Sequence, residues 1–235
     1  MRHQLAITLA AAGRLAFAAA ANGPVETKYE QIGGPRSDLG AAASGVKRTR
    51  DGAGQYQQFR NGAIYWSPRT GAHVITGVFL NKWMSFDAER GRLGYPTTDQ
   101  VKSGDGAVQA FQHGALYWTD KTGVHDVYGD VYDKYQTLRS EHGVLGYPRT
   151  DTSRPPDQIG RYNFFEHGDI YWHPQTGAHA VMGEILKKWE SSGYEKGPLG
   201  YPTSDETTAP GGGKSQRFQR GTIQWDARNG ARIVQ

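Results

Sequence analysis

The tetrapeptide Leu-Gly-Tyr-Pro occurs three times in this chain, beginning at Leu93, Leu145 and Leu199, at spacings of 52 and 54 residues. Self-similarity at a long, nearly fixed period restricts the chain to copies of one small unit. Such units stack or close on one another, because none buries enough apolar surface alone. The copies also serve as an internal alignment, in which recurring positions mark what the unit needs.

Three full units run over about 56–99, 108–151 and 162–205, and a fourth begins at Gln216 and stops halfway, at Gln235. Trp66, Trp118, Trp172 and Trp225 hold one position in all four. An aromatic stands ten residues before the motif leucine, at Trp83, Tyr135 and Trp189, and an apolar residue four before that, at Phe79, Val131 and Ile185. Val25, Tyr29 and Leu39 repeat this spacing near the N-terminus. The chain therefore opens with the back half of a unit and ends with a front half. That permutation predicts a closed, propeller-like ring in which residues 24–40 complete the C-terminal unit; an open stack would leave two half-units exposed.

Within one unit, Asn61-Gly62 after Phe59 predicts a tight hairpin, since both residues accept φ > 0. Pro68 and Gly71 mark a second turn, a third strand spans His73 to Thr76, and an amphipathic helix starts at Gly77. The fold class is thus an α+β repeat with short antiparallel strands and one helix per unit. Strand alternation places Ile64 and Trp66 on one face and Ala63 and Tyr65 on the other. The first face is apolar in every copy and reads as core. The second carries Asp169, Thr222 and Gln224 in later copies and reads as facing water or a groove.

The combined pattern (LGYP, FxxGxIYW, then a turn and TGAH) resembles the LGFP-repeat family from Val25 to Gln235. Tyr95, Tyr147 and Tyr201 stand where that family has phenylalanine, and Leu39-Gly40 is followed by Ala41-Ala42 without the aromatic and proline. Repeats of this family occur in secreted actinobacterial proteins, appended to wall enzymes such as mycolyltransferases and amidases. The resemblance implies a non-catalytic, lectin-like module that binds cell-wall polysaccharide. A protein-interaction scaffold docking a secreted toxin or wall enzyme, and a wall hydrolase, are the alternatives.

Residues 1–22 resemble a secretory signal peptide, with Arg2 and His3 ahead of an apolar, alanine-rich run, leaving 23–235 as one domain. The run is too interrupted for a membrane span. There is no cysteine, so disulfides and thiol catalysis are excluded. The net charge of +4 is too small to argue for nucleic acid. No nucleophile elbow, phosphate loop or H-E-x-x-H is present, so neither catalytic residue, metal nor cofactor is expected. Candidate ligand contacts are the recurring groups: Tyr65, Tyr117 and Tyr171 for stacking on sugar rings, and His73, His125, His179, Asp99, Asp151 and Asp205 for hydrogen bonds to hydroxyls. Several weak, near-equivalent sites would act together on a polymer.

Overall fold

The computed structural model describes residues 22–209 and 212–234; the leader expected at 1–22 falls, but for Asn22, outside them. Four antiparallel sheets alternate along the chain with four helices. Helix α1 (Pro24–Gln31) precedes the first sheet, of β1 (Lys47–Arg48), β2 (Gln55–Phe59), β3 (Gly62–Ser67) and β4 (Gly71–Thr76). Helix α2 (Gly77–Ser85) precedes β5 (Val101–Ser103), β6 (Gly106–Phe111), β7 (Gly114–Thr119) and β8 (Gly123–Tyr128). Helix α3 (Gly129–Thr137) precedes β9 (Arg161–Phe164), β10 (Gly168–His173) and β11 (Gly177–Met182). Helix α4 (Gly183–Ser191) precedes β12 (Thr207–Thr208), β13 (Lys214–Phe218), β14 (Gly221–Asp226) and β15 (Gly230–Val234).

The hairpins form where expected, but for a different reason. Phe59 pairs with Gly62, so Arg60 and Asn61 make the turn and Gly62 is already in the strand. A Cβ on Gly62 would lie 2.5 Å from the carbonyl oxygen of Ile75. Glycine is kept there for close strand approach rather than for positive φ. Positive φ is instead required at the motif glycines, with Gly40, Gly94, Gly146 and Gly200 at 74°, 71°, 67° and 70°. Ala42 bridges to Phe59 as Pro96, Pro148 and Pro202 bridge to Phe111, Phe165 and Phe218. The Leu39-Gly40 corner therefore keeps the turn without its aromatic and proline.

Each helix packs on the sheet that follows it, and α2, α3 and α4 also cover the sheet before them. An aromatic chain runs through these layers. Trp83 takes Tyr65 edge-on from the preceding sheet at 4.6 Å and lies 5.9 Å from Phe111 of the following one. Tyr135 repeats this with Tyr117 and Phe165, and Trp189 with Tyr171 and Phe218. The recurring helix aromatic has a polar task as well: Tyr29, Trp83, Tyr135 and Trp189 donate to the carbonyls of Gly40, Gly94, Gly146 and Gly200 at 2.8, 3.0, 2.7 and 3.1 Å. That donation fixes the spacing between helix and motif, because a buried carbonyl without a donor is costly.

The head-to-tail ring expected from the sequence is not detected. Val25 and Tyr29 of α1 pack with Leu39, Phe59 and Ile64 of the first sheet, whereas Trp225 packs with Ile185 and Trp189 of α4. Among the described residues no hydrogen bond or ion pair joins α1 to β12–β15. The reason is the phase of the repeat. In space the module is a helix, its motif turn and the next sheet, so residues 24–40 complete the first sheet rather than the last. Four such modules are whole without permutation. Glu26 stands at the position of Leu80, Tyr132 and Leu186, and Thr222 and Gln224 stand where the first two sheets carry an Ala–Tyr pair.

Candidate functional site

Tyr65, Tyr117 and Tyr171 are 5, 2 and 3% exposed, beneath the helix that follows their own strands. Burial raises their phenols far above the usual tyrosine range. This corrects the expectation of a water-facing tyrosine surface. The polar residues that suggested it have separate causes. Thr222 and Gln224 lie in the last described sheet, which no helix among the described residues follows, and Asp169 is itself buried, its carboxyl pushed up to about 7 by burial and then by the charge of Glu190.

The six histidine and aspartate candidates do converge, in three copies of one structural junction. Asp99 accepts from the backbone N–H of Val74 at 2.9 Å and from Lys28 of α1 at 2.6 Å, with Nδ1 of His73 at 3.3 Å. Asp151 does the same with Asp126, Lys82 and His125, and Asp205 with Ala180, Lys134 and His179. The far nitrogen of each histidine lies 2.8 Å from a threonine carbonyl, of Thr70, Thr122 or Thr176. These groups are therefore committed to contacts within the fold, and Asp99 also borders a groove. For Asp151, burial raises the carboxyl, but hydrogen bonds from His125 and Lys82 outweigh it and hold the group at about 2.

Other recurring polar groups were not singled out from the sequence. Gln109, Asn163 and Gln216 are fully buried, and each amide donates to the preceding sheet, at the carbonyl of Val74, Asp126 or Ala180. The motif tyrosines also act across modules. Tyr95 donates to Asp51 at 2.6 Å, Tyr201 to Asp157 at 2.5 Å and Tyr147 to the Ser103 carbonyl. Lys28, Lys82 and Lys134 each sit directly before the helix aromatic, and Glu89, Glu141 and Glu195 four residues before the motif leucine. Recurrence in register is the signal that would have found them all.

The structure opens a groove that the sequence did not indicate. A cavity of about 680 Å³ lies between the end of the first module's helix segment and the second sheet. Trp118, Ile32 and Val74 supply apolar wall; Arg36, Asp38, Asp99, Gln100, Lys102 and Asp105 supply polar groups. Trp118 is partly buried and its indole N–H has no hydrogen-bond partner among the described residues. Arg36, Asp38, Lys102 and Asp105 are exposed and enter no ion pair there. The volume falls within the range of small-ligand pockets.

No group of three or more potential metal ligands occurs among the described residues. Ser103 and His142 approach to 3.0 Å, but the serine hydroxyl also binds Glu141 and is nearly buried. It ends β5 at the position corresponding to Thr49, which binds Asp51 in the first module. No helix among the described residues is long and apolar enough to cross a membrane.

This alternation of short sheets and helices, locked by a motif turn, is that of a tandem repeat protein. The model of the LGFP repeat matches four times, at residues 39–91, 93–143, 145–197 and 199–235, and the chain belongs to that family. No curated protein matches the sequence. Among solved structures, virginiamycin B lyase from Staphylococcus aureus is similar at 8% identity, over 81% of this chain and 54% of that one, with a TM-score of 0.16.

Proposed function

We propose that the protein is a secreted, non-catalytic module that binds polysaccharide of the cell envelope through the Trp118 groove. The observation that carries this reading is the pairing of an indole wall with four exposed charged side chains that enter no ion pair among the described residues. A sugar offers the matching chemistry: an apolar face of C–H groups for the ring and hydroxyls at its edge for carboxylates and cations. Membership of the LGFP-repeat family supports an envelope setting. The tyrosine sites first expected from the sequence are replaced by this groove, since a buried ring cannot stack on a ligand.

A glycan array and a pull-down on purified cell-wall sacculi test the reading. Wild-type protein is retained and Trp118→Ala is released at unchanged fold content. Equal retention of the two proteins would remove the groove from the mechanism.

A further inference from the structure

The counterpart of the Trp118 groove one module further on is blocked by a single side chain. The groove positions Ile32, Asp38, Val74, Thr76 and Gln100 become Phe86, Arg92, Asp126, Tyr128 and Thr152. Arg92 touches all four of the others. Its guanidinium lies 3.9 Å from the Phe86 ring centroid and 4.9 Å from that of Tyr128. It pairs with Asp126 at 2.7 Å and donates to the Thr152 carbonyl at 3.3 Å. Arg92 and Asp126 are each unique among the copies: the other modules carry Asp38, Val144 and Pro198 in place of the arginine, and Val74, Ala180 and Ile233 in place of the aspartate. Two unique residues that meet in space and fill a space open elsewhere form one device. Two aromatic faces and a buried carboxylate hold the planar cation in place.

We infer that Arg92, seated on Asp126, plugs a second copy of the ligand groove beside Trp172, so that groove occupancy along the array is set by which modules carry the plug. This rests on the glycan reading of the first groove and adds what determines where it operates. Trp172 is conserved in position and partly buried like Trp118, so the stacking ring is already in place behind the plug.

The test is gain of binding in a disabled background, with purified cell-wall sacculi as the probe. Trp118→Ala abolishes retention. Adding Arg92→Asp, Asp126→Val and Tyr128→Thr removes the plug and gives three of these five positions the residues of the first groove, and retention returns by about tenfold or more, now lost again on Trp172→Ala. A folded multiple variant that stays unretained, while wild-type protein is retained, overturns the plug. If wild-type protein is itself not retained, the glycan reading fails, and the plug is decided without ligand. A crystal structure of Arg92→Asp/Asp126→Val/Tyr128→Thr that shows an open groove beside Trp172 upholds it. A space closed by other side chains overturns it.

Discussion

The hydroxyl of Tyr201 donates to Asp157, 44 residues earlier, at 2.5 Å. The turn that leads into the fourth sheet is thereby tied to a loop of the third module. Tyr95 makes the same tie to Asp51, so the motif residue Tyr adds a bond that phenylalanine cannot make.

Tyr201→Phe should lower stability by about 1.5–3 kcal/mol, the usual worth of a hydrogen bond to a charged group. Asp157 keeps its two backbone donors, Ile159 and Gly160, which favours the lower end. Urea unfolding at neutral pH measures it; an unchanged midpoint would show that the tie contributes nothing.

Tyr117→Ala should destabilise by about 3–5 kcal/mol, as loss of a buried aromatic does, because the ring is enclosed between its sheet and Tyr135. Trp118→Ala should cost less, since its ring is only partly buried. Denaturant midpoints of the two variants, side by side, decide the order.

Asp169 is buried and held at about 7, above the ordinary carboxylate value, by burial first and by Glu190 second. An acid raised in the folded state costs nothing where both states are protonated, below about pH 4, and costs more as pH rises towards 7. Asp169→Ala, the residue found at Ala63 and Ala115, should therefore stabilise on the order of 1 kcal/mol at pH 8 and less at pH 4. Asp151 has the opposite sign: held at about 2, it contributes above about pH 4 and that contribution is lost as pH falls through its folded value. Thermal melts of Asp169→Ala and Asp151→Asn across this range separate the two; parallel curves for both would remove the assignment.

Thr222→Ala with Gln224→Tyr gives the last sheet the face that inner sheets bury under a helix. No helix among the described residues covers it, so the new apolar face should drive association. Light scattering should show a concentration-dependent increase in mass for the variant over the parent; equal masses would mean that Thr222 and Gln224 are not what keeps this face from associating.

Much of the fold was legible because recurrence stood in for an alignment. The helix aromatic ten residues before each motif leucine, the hairpins and the Gly71-type turns all formed. What failed was the phase. The sequence does not say whether Tyr29 covers the sheet before it or after it, since both have the same face pattern; only contacts with Phe59 decide it. The candidate site failed for a related reason. Alternation distinguishes two faces but cannot show that helices cover both, and so Tyr65 looked exposed. The His73–Asp99 recurrence was read as a set of ligand contacts, whereas the two residues meet each other and the backbone of Val74; recurrence in a repeat marks the shared scaffold first. The groove at Trp118 depends on positions that differ between copies, where a search for identity is blind.

The buried amides of Gln109, Asn163 and Gln216 each reach only one module back. Every seam thus holds its own fastenings, and none is shared with a distant part of the chain. An array sewn in this way can gain or lose a whole module by in-frame duplication or deletion without reworking its neighbours. Its length is a quantity that evolution, or an engineer, can set by counting.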